Sequence, residues 1–492
     1  MKENKSVYIG GGFIDSQLLW IIPLVNGYCK NKKIKKIIFE NKLNNKVKEN
    51  FFVKNILKDY EVIYLKDQSI FLTNKFLKIL LLLFYLTPLS IYKVLIFNKN
   101  KILEYKNNWK EYQINHSIWD TAMRNSNDGE TAPKFFNLLK SSIEIFYNLY
   151  LSNLLKKKNV KDFFLGHSVY GYRAFLSGIR EKGKKIFCHS GFTIYRQPIN
   201  NDSSWCFVKK KKYINLERLV TKEKVNQYWK TRIKGFGNYE DSRIASSIKS
   251  KGYSLNNKNY NIIFLHIFRD SPFCDIDRDR IFLDYVSWVH KTIKIISKSK
   301  EKWILRLHPS YKRWGENQPI ALKKILKSLF NDKISSNIII EDNICSNHDV
   351  LRNARRIITF NGTSHLEAAC YGIKPIIIAN TMLNKIFPKL VFKAKSISEY
   401  SSLLLQNSNN KKFRLSKTDI FRAKKMMFIR EKALKFETNI GGFHIFRGDP
   451  PSKLKKDFEE TRKNLKKNIN FLELNGKKLS MENDITLSDT FL

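Results

Sequence analysis

The chain has 492 residues, of which 43% are hydrophobic, and its 90 lysines and arginines against 44 acidic residues give a formal net charge of +46. This length and apolar content suit two domains with appended segments and are enough for extensive cores. The charge alone would indicate a nucleic-acid partner. Because lysine far outnumbers arginine and no arginine-rich stripe, zinc pattern or RNA-binding aromatic motif is present, we predict no nucleic acid and favour an anionic membrane surface or an acidic glycan.

The cysteine pattern and the N-terminal segment indicate a location. Six scattered cysteines form no C-x-x-C pair, as expected of buried thiols in a reducing cytoplasm; they are Cys29, Cys188, Cys206, Cys274, Cys345 and Cys370. The first residues lead directly into a predicted strand, so no signal peptide is expected. We therefore predict a cytoplasmic protein, either free or peripheral on the inner face of the membrane.

The chain opens like the first strand–loop–helix unit of a Rossmann-like domain. A strand at Ser6–Ile9 is followed by three glycines and by a helix predicted over Asp15–Tyr28, and further strands are predicted at Lys35–Glu40 and Glu61–Tyr64. The glycines do not form G-x-G-x-x-G, so no dinucleotide site is predicted. Asp15 stands at the start of the helix, where a carboxylate is either a helix N-cap or a functional group.

An apolar segment covers residues 76-97, with its most hydrophobic run at Ile79–Tyr92. That run of 14 residues falls short of the roughly 20 that span a bilayer as a helix, and Pro88 also disfavours spanning. Two interpretations stay open, a buried core helix or an interfacial helix whose lysines lie among lipid headgroups. The flanking lysines are Lys75, Lys78 and Lys93.

Two successive strands of the first domain are predicted to end in histidine and serine. Asp162–Leu165 leads into His167, and Lys185–Cys188 leads into His189. Since parallel strands present their carboxyl ends at one edge of a sheet, both histidines are candidates for contacts at that edge, although each is also compatible with a structural role. Arg173, one turn later, is either a ligand for an acidic sugar or part of a surface ion pair.

A lysine-rich helical region, residues 205-257, separates this domain from a second one that opens with the strand Asn261–His266. The polar loop after that strand contains His266, Arg269 and Asp270. Arg269 is suited to bidentate contact with a phosphate. The alternative is a solvated loop with a local Arg–Asp pair.

An acidic triplet follows in the same loop, before a helix predicted over Arg280–Lys298. Asp275, Asp277 and Asp279 alternate as in some cation sites, but their position before a helix favours a charge cluster at its N-terminus. No metal site is therefore predicted.

The clearest motifs lie between residues 303 and 380. The strand of WILRLHPS ends in His308, which Pro309 holds in extended geometry. After a further strand at Asn337–Glu341, the strand Ile357–Phe360 ends in the turn Asn361-Gly362-Thr363-Ser364. A short helix containing Glu367 follows, and then Pro375 and the strand Ile376–Ala379.

Such a turn has two interpretations. Ligands of parallel α/β sheets bind beyond the carboxyl ends of strands and against helix N-termini, so its amides and hydroxyls suit a phosphate and Glu367 suits a ribose or sugar diol. The alternative is an ordinary turn in which Thr363 or Ser364 caps the helix and Glu367 stands near the N3 position.

Together the two motifs resemble the nucleotide-sugar half of GT-B glycosyltransferases, especially bacterial sialyltransferases and capsule-type Kdo transferases, which use CMP-activated acid sugars. In those families a His-Pro motif contacts the donor phosphate and a later Ser/Thr turn contacts the nucleotide; the matching positions are His308, Pro309, Thr363 and Ser364. The run also resembles the S-x-x-x-E-A…G-x-P element of UDP-sugar GT-B enzymes and UDP-sugar 2-epimerases, where Glu367 matches the ribose-binding glutamate. The resemblance covers residues 258-385 and lacks the D/E-D/E-G triplet of many sialyltransferases.

The resemblance implies an α/β, GT-B-like fold, in which two Rossmann-like domains face a cleft and helices follow at the C-terminus. The implied division is an acceptor domain at 1-204, the basic helical region at 205-257, a nucleotide-sugar domain at 258-412, a helix crossing back onto the first domain at 413-448, and a charged tail at 449-492. For the tail we expect either mobility or one docked helix.

The resemblance also implies site residues. The donor would be bound by Arg269, Asp270, His308, Pro309, Asn361, Gly362, Thr363, Ser364 and Glu367. The catalytic candidates are His308, which would stabilise the departing phosphate, and Asp15 or His167, which would remove the acceptor proton. The nucleotide sugar is a substrate, and no cofactor or metal is expected.

The predicted function is a glycosyltransferase that moves a sugar from a nucleotide-activated donor to a surface glycan or lipid-linked acceptor in capsule or lipopolysaccharide synthesis. A CMP-Kdo or sialic-type donor is favoured, and a UDP-sugar is the other option. Two alternatives stay open, a GT-B enzyme like the UDP-sugar 2-epimerases and a non-enzymatic protein that binds glycans or membranes.

Overall fold

The computed structural model describes most of the chain. The described residues are 5-107, 109-127, 129-156, 158, 160-166, 169-179, 184-190, 193-197, 210-234, 260-270, 281-312, 314-331, 335-342, 346-433 and 450-481. Within them the strands are β1 Ser6–Gly10, β2 Lys36–Phe39, β3 Glu61–Tyr64, β4 Val160–Leu165, β5 Lys185–Ser190, β6 Thr193–Gln197, β7 Tyr260–Phe264, β8 Trp303–Arg306, β9 Ile338–Glu341, β10 Ala354–Thr359, β11 Ile376–Ile377 and β12 Phe392–Lys393.

Helices connect most of these strands. In the first half they are Asp15–Lys32, Asn45–Lys48, Phe51–Leu57, Ile70–Thr73, Lys75–Leu80, Thr87–Leu95, Trp109–Arg124, Phe135–Lys156 and Gly171–Ile179. In the second half they are Lys210–Leu219, Lys222–Ile233, Tyr285–Ile296, Gln318–Phe330, Asn347–Asn353, Ser364–Cys370, Met382–Ile386, Ile397–Leu405, Lys417–Phe428 and Pro451–Met481. A π-helical segment, Leu81–Leu86, joins its two neighbours into one apolar helix.

The strands form two six-stranded sheets with the same order. The first is β3-β2-β1-β4-β5-β6 and the second is β9-β8-β7-β10-β11-β12. All pairings are parallel except that of β5 with β6. The first strand of each domain therefore lies in the middle of its sheet. The next two strands lie on one side of it and the later strands on the other, which is the doubly wound order of Rossmann-like domains.

Burial on both faces explains the sequence of the central strands. Every residue of β1 is buried, as are five of the six residues of β10, because helices cover both faces of a parallel sheet. The predicted fold class, two Rossmann-like α/β domains with C-terminal helices in a GT-B-like chain, is confirmed. The described cysteines Cys29, Cys188 and Cys370 are buried free thiols.

The basic region after the first domain belongs structurally to the second. Its helices Lys210–Leu219 and Lys222–Ile233 pack their apolar faces into the same cluster as Leu366 and Met426. Trp229, on the second of these helices, lies edge-on to Tyr371. Of the predicted region 205-257 the structure describes residues 210-234. These residues are helical, and they form a layer of the second domain and not a separate connector.

The prediction of a crossing-back helix at residues 413-448 differs from the structure over residues 413-433, and its remainder lies outside the described residues. The helix Lys417–Phe428 packs against Ser364–Cys370 within the second domain, where Met426 and Met427 are buried. The helix that returns to the first domain is Pro451–Met481, which packs along Asp15–Lys32. The segment predicted as a charged tail is therefore a docked helix over most of its length.

A seven-residue repeat explains how this last helix docks. Its buried apolar residues are Phe458, Leu465, Leu472 and Leu479, and this spacing keeps one stripe facing a partner helix. At the crossing, a Cβ atom on Gly27 would lie 1.9 Å from the carbonyl oxygen of Glu473, and one on Gly476 would lie 1.8 Å from that of Leu24. Glycines at both positions thus allow the two backbones to touch.

The apolar segment forms an exposed helix. Lys75–Leu95 is 21 residues long, and by length and composition it is long and apolar enough to cross a membrane. Its most apolar stretch of 18 residues has a mean hydropathy of 1.6 and is 17% buried. The interpretation as a buried core helix is therefore wrong. Exposed aromatic and leucine side chains occupy most of its surface.

Candidate functional site

The centre of the second sheet brings two predicted loops together. Strands β7 and β10 are neighbours there, and the chain leaves them in opposite directions, so their carboxyl ends flank the crevice in which doubly wound sheets bind ligands. His266 follows β7 and its Nε2 lies 3.1 Å from the hydroxyl of Thr359, the last residue of β10. Tyr285 stacks on the His266 ring, with centroids 4.5 Å apart.

A buried glutamine joins the His-Pro loop to this crevice. Gln318, at the start of its helix, is fully buried; its side-chain oxygen accepts from the backbone N–H of His308 at 2.8 Å and its Nε2 donates to the carbonyl of His266 at 2.5 Å. The Nδ1 atom of His308 accepts from the N–H of Ser310 at 3.2 Å. A neutral His308 therefore carries its proton on Nε2, the form that donates to a phosphate oxygen.

The turn after β10 packs closely against His266. A Cβ atom on Gly362 would lie 2.9 Å from the ring carbon Cε1 of His266, so only glycine fits without displacing the ring. Thr363 occupies the N-cap position of the following helix, but its side chain makes no capping hydrogen bond. The interpretation of this turn as a side-chain-capped helix start is therefore wrong for Thr363. Asn361 accepts at its side-chain oxygen from the hydroxyl of Tyr285 at 3.4 Å.

Burial keeps two histidines of the crevice neutral. Burial, and then the proximity of His308 and His365, lower the pKa of His266 to about 3. Burial likewise lowers the pKa of His365 to about 4, although its Nδ1 contact with the Gly362 carbonyl at 2.5 Å opposes this. At neutral pH these two side chains therefore act as neutral hydrogen-bonding groups.

Glu367, the predicted ribose ligand, lies in a buried network beneath the turn. Its carboxylate accepts from Arg232 at 2.5 Å and from the amide of Asn347 at 3.4 Å. Asn347 in turn accepts from Arg306, which pairs with Glu341 at 2.6 Å. Glu367 is 2% exposed, so a ribose contact would require this ion pair to open.

Arg269 and Asp270, predicted as donor ligands, make contacts between the domains. The guanidinium of Arg269 donates to the carbonyl of Arg124 at 2.8 Å and to that of Gly315 at 2.9 Å. The carboxylate of Asp270 accepts from the hydroxyl of Tyr170, which follows β4 in the first domain. The structure thus gives this pair a role in joining the domains, different from either interpretation of the loop.

The first sheet has an equivalent crevice between β1 and β4. The N–H of Gly166, after β4, donates to the carbonyl of Gly10 at 2.9 Å, so the two loops touch. Asp15 begins the following helix one residue after the N-cap, Ile14, which rules out the N-cap interpretation. Its carboxylate accepts from Asn44 at 3.0 Å. Burial raises the pKa of Asp15, and the Asn44 hydrogen bond opposes that rise; a raised pKa favours action as a base.

Other predicted residues of the first domain divide into two groups. Arg173 is buried and donates to Asp120 at 2.8 Å beside the ring of His116, so it is neither a surface ion pair nor a ligand in this conformation. His167 lies outside the described residues, as do Asp275, Asp277 and Asp279. Among the residues that are described, no group of three or more His, Cys, Asp or Glu side chains is placed to hold a metal ion.

Sequence reasoning missed the residues that hold the crevice together. Gln318, Tyr285 and Asn347 each bridge segments far apart in the chain, and none lies in a recognisable motif. Gln318 had one signal, its place directly before Pro319, because proline is common in the first turn of a helix. Arg232 had none, because its partner Glu367 lies more than a hundred residues away.

Comparisons with known proteins give weak matches. No family profile and no curated protein matches the sequence. Matching solved structures include S. aureus MnaA in its UDP co-structure (10% identity, TM-score 0.27, 87% of this chain and 94% of that one). Another is the Methanocaldococcus jannaschii UDP-GlcNAc 2-epimerase in complex with UDP-GlcNAc and UDP, with 11% identity, a TM-score of 0.26, and coverage of 86% of this chain and 98% of that one. A third is the glycosyltransferase SnogD from Streptomyces nogalater, with 9% identity, a TM-score of 0.22, and coverage of 86% and 95% of the two chains. Scores this low carry no argument, so the fold assignment rests on strand order.

Proposed function

We propose that this chain is a glycosyltransferase that moves a sugar from a nucleotide-activated donor to a surface glycan or lipid-linked acceptor of capsule or lipopolysaccharide synthesis. A CMP-activated Kdo or sialic-type donor is favoured, with a UDP-sugar as the other option. The nucleotide sugar is a substrate, no cofactor is proposed, and the site of action is the cytoplasm or its membrane face.

One observation carries the proposal. The loops after three adjacent strands, β8, β7 and β10, meet at the crevice of the second sheet, and they bring His308, His266 and the turn with Thr363 to one edge. This is the position at which doubly wound sheets bind nucleotides. Of these, His308 and Thr363 match the motifs that resemble nucleotide-sugar enzymes, and His266 is a candidate from its place after a strand.

The residues take the following proposed roles. His308 would donate from Nε2 to the departing phosphate, and Thr363 would add a neutral hydroxyl donor, which stabilises charge as it develops. Asp15, at the start of the helix that follows β1, would remove the acceptor proton. His167 is the other proposed base. Closure of the domains would exclude water, which would otherwise hydrolyse the donor.

The first experiment is calorimetry of the purified chain with CMP, UDP, GDP and ADP, each without added metal and again with excess chelator. The test variant is His308→Ala. The matched control is His290→Ala, a partly exposed histidine on the helix Tyr285–Ile296 of the same domain.

We expect one nucleotide to bind, the control to bind it equally, and His308→Ala to lose about tenfold in affinity, the usual effect of about 1.5 kcal/mol for a hydrogen bond to a charged group. CMP would support a Kdo or sialic-type donor and UDP a hexose. Absence of binding to all four nucleotides would contradict the donor-site assignment.

A UDP-sugar 2-epimerase is the second candidate, because Glu367 and the turn before it belong to the sequence element that resembles the S-x-x-x-E-A…G-x-P element of those enzymes. The two functions differ in their product. An epimerase converts a UDP-sugar without an acceptor, whereas a transferase releases the nucleotide only when an acceptor, or slowly water, takes the sugar. Product analysis by NMR with and without acceptor glycan separates them.

A further inference from the structure

The helix Lys75–Leu95 and its neighbours form a concentrated apolar surface. Of the 20 large hydrophobic side chains that are exposed in the described chain, 11 lie between Phe71 and Ile96. Among these 11 the most exposed are Phe84 at 75% and Leu95 at 71%. Scattered exposed hydrophobic residues are normal, but a contiguous group marks a surface that binds something. We call the exposed side chains of residues 71-96 the docking surface.

The opposite face of this helix is fixed to the first domain. Leu81, Leu86, Ser90 and Val94 are buried, and their spacing of four to five residues places them on one side of the helix. That side packs against the helix Phe135–Lys156. The docking surface is thus the outer face of a helix already anchored on its inner face.

The two helices contact each other at both ends. Before the apolar helix begins, the hydroxyl of Ser69 lies 3.1 Å from that of Tyr150. After it ends, Phe97 packs in the same cluster as Leu138. The apolar helix therefore lies flat along its partner. To span a bilayer it would have to leave these contacts, so its geometry favours a position parallel to a membrane surface.

The charges around the docking surface are positive. Residues 68-103 contain no acidic residue. Lys75 and Lys78 are exposed at the start of the helix, where they suit lipid phosphates. Lys93 is different, because its ammonium pairs with Glu111 at 2.7 Å and its side chain is 13% exposed, so it does not serve as a headgroup contact.

We propose that the docking surface binds in the plane of an anionic phospholipid bilayer. Phe84, Leu83 and Leu95 would enter the boundary between headgroups and acyl chains, as amphipathic interfacial helices do. Tyr85 and Tyr92, 58% and 62% exposed, have the amphipathic rings that favour this boundary. This inference concerns only the surface and holds whatever reaction the crevices perform.

The test is co-sedimentation of the full chain with vesicles of phosphatidylglycerol and phosphatidylcholine, and with vesicles of phosphatidylcholine alone. The test variant is Leu83→Ser with Leu95→Ser. The matched control is Leu219→Ser with Leu474→Ser, two leucines of similar exposure, 59% and 50%, that lie outside the docking surface.

We expect the wild type to bind anionic vesicles more tightly than neutral ones, the control to behave like the wild type, and the test variant to lose about tenfold or more in partition, because two inserted leucines are removed. All three proteins should melt at similar temperatures, since the changed side chains are exposed. Failure of the wild type to bind anionic vesicles, or equal binding by the test variant, would overturn the proposal.

Two further outcomes would also overturn it. If the wild type forms a dimer without lipid and the test variant is a monomer, then the docking surface is an interface between copies of this chain. If the chain in membranes of expressing cells resists extraction with alkaline carbonate, then the helix spans the bilayer. Release by carbonate is the result expected of an in-plane helix.

Discussion

At Gly362, in the crevice of the second domain, a larger side chain would collide with the His266 ring. In Gly362→Ala the new Cβ would lie 2.9 Å from the His266 ring, and overpacking of this kind costs about 1–3 kcal/mol. We expect the affinity for the preferred nucleotide to fall about tenfold, measured by calorimetry. The contrasting result, unchanged affinity, would place the nucleotide away from this turn.

A double-mutant cycle separates local crowding from general damage. If the Gly362 variant acts through the His266 ring, then His266→Ala combined with Gly362→Ala should bind no more weakly than His266→Ala alone. Additive losses would show that the methyl group disturbs some other part of the turn.

Asp15 gives a prediction about pH. Burial raises the pKa of its carboxyl and the hydrogen bond from Asn44 lowers it, so Asn44→Ala should raise the pKa further. A base must be ionised, and activity therefore falls as pH decreases through this pKa. We expect the acidic limb of the kcat/KM profile to move to higher pH in Asn44→Ala, and Asp15→Asn to lose the limb together with most activity. An unmoved limb would assign the base role to another residue such as His167.

Residues on recognisable motifs could be proposed as site residues from the sequence, whereas the residues that hold them in position could not. His308 was recognisable because Pro309 restricts the backbone beside it, and Thr363 because Gly362 marks a turn after a strand. Gln318 and Arg232 were not, because their roles depend on partners brought near by the tertiary fold. Arg269 was visible as a loop cation, but its carbonyl partner at Arg124 belongs to the other domain.

At the scale of elements, the crossing of the first and last helices is the most sensitive contact. In Gly476→Ala the Cβ would meet the carbonyl oxygen of Leu24 at 1.8 Å, and backbone cannot move aside as a flexible side chain can. We expect a loss of about 3 kcal/mol in the free energy of unfolding, measured by urea denaturation. Lys477→Ala, an exposed position on the same helix, is the control and should change stability by less than about 0.5 kcal/mol. Equal stability of both variants would mean that the helix is not docked.

The strands were largely predictable as elements, whereas for the last segment the sequence left both mobility and one docked helix open. β3 has the predicted bounds, and β1 and β4 differ from theirs by one or two residues, because apolar runs bounded by glycine or charge mark buried strands. In Pro451–Met481 the large buried apolar residues recur only once in every seven positions, and many of the residues between them are lysines and glutamates. Its charged composition therefore did not decide between the two options, although the repeat from Phe458 to Leu479 was present in the sequence.

At the scale of the whole molecule, Arg124 joins the domains. Its guanidinium lies over the ring of Trp314 at 4.8 Å and over that of Tyr170 at 5.9 Å. We expect Arg124→Ala to reduce the free energy of unfolding by about 1–2 kcal/mol, the sum of two cation–π contacts, and to speed proteolysis between the domains. Arg422→Ala, an exposed arginine of the second domain, is the control. Identical behaviour of the two variants would show that the domains are held together elsewhere.

The two-domain organisation followed from the sequence, but the strand order did not. Alternating strands and helices predict a parallel sheet. This alternation can be read from the sequence because helix lengths and glycine loops are local features. The reversal that places β10 beside β7 depends on which side of the sheet each crossover takes, and local patterns do not encode that choice.

The crossing of the first and last helices has a consequence for protein synthesis. The apolar face of Asp15–Lys32 is covered by Pro451–Met481, which follows the entire second domain in the chain. During translation the first domain emerges with this face uncovered, and the face stays uncovered until the ribosome has made the helix Pro451–Met481. Premature termination would therefore leave the first domain with an exposed apolar face. A nascent chain would need chaperones to protect this N-terminal face until that helix has been made.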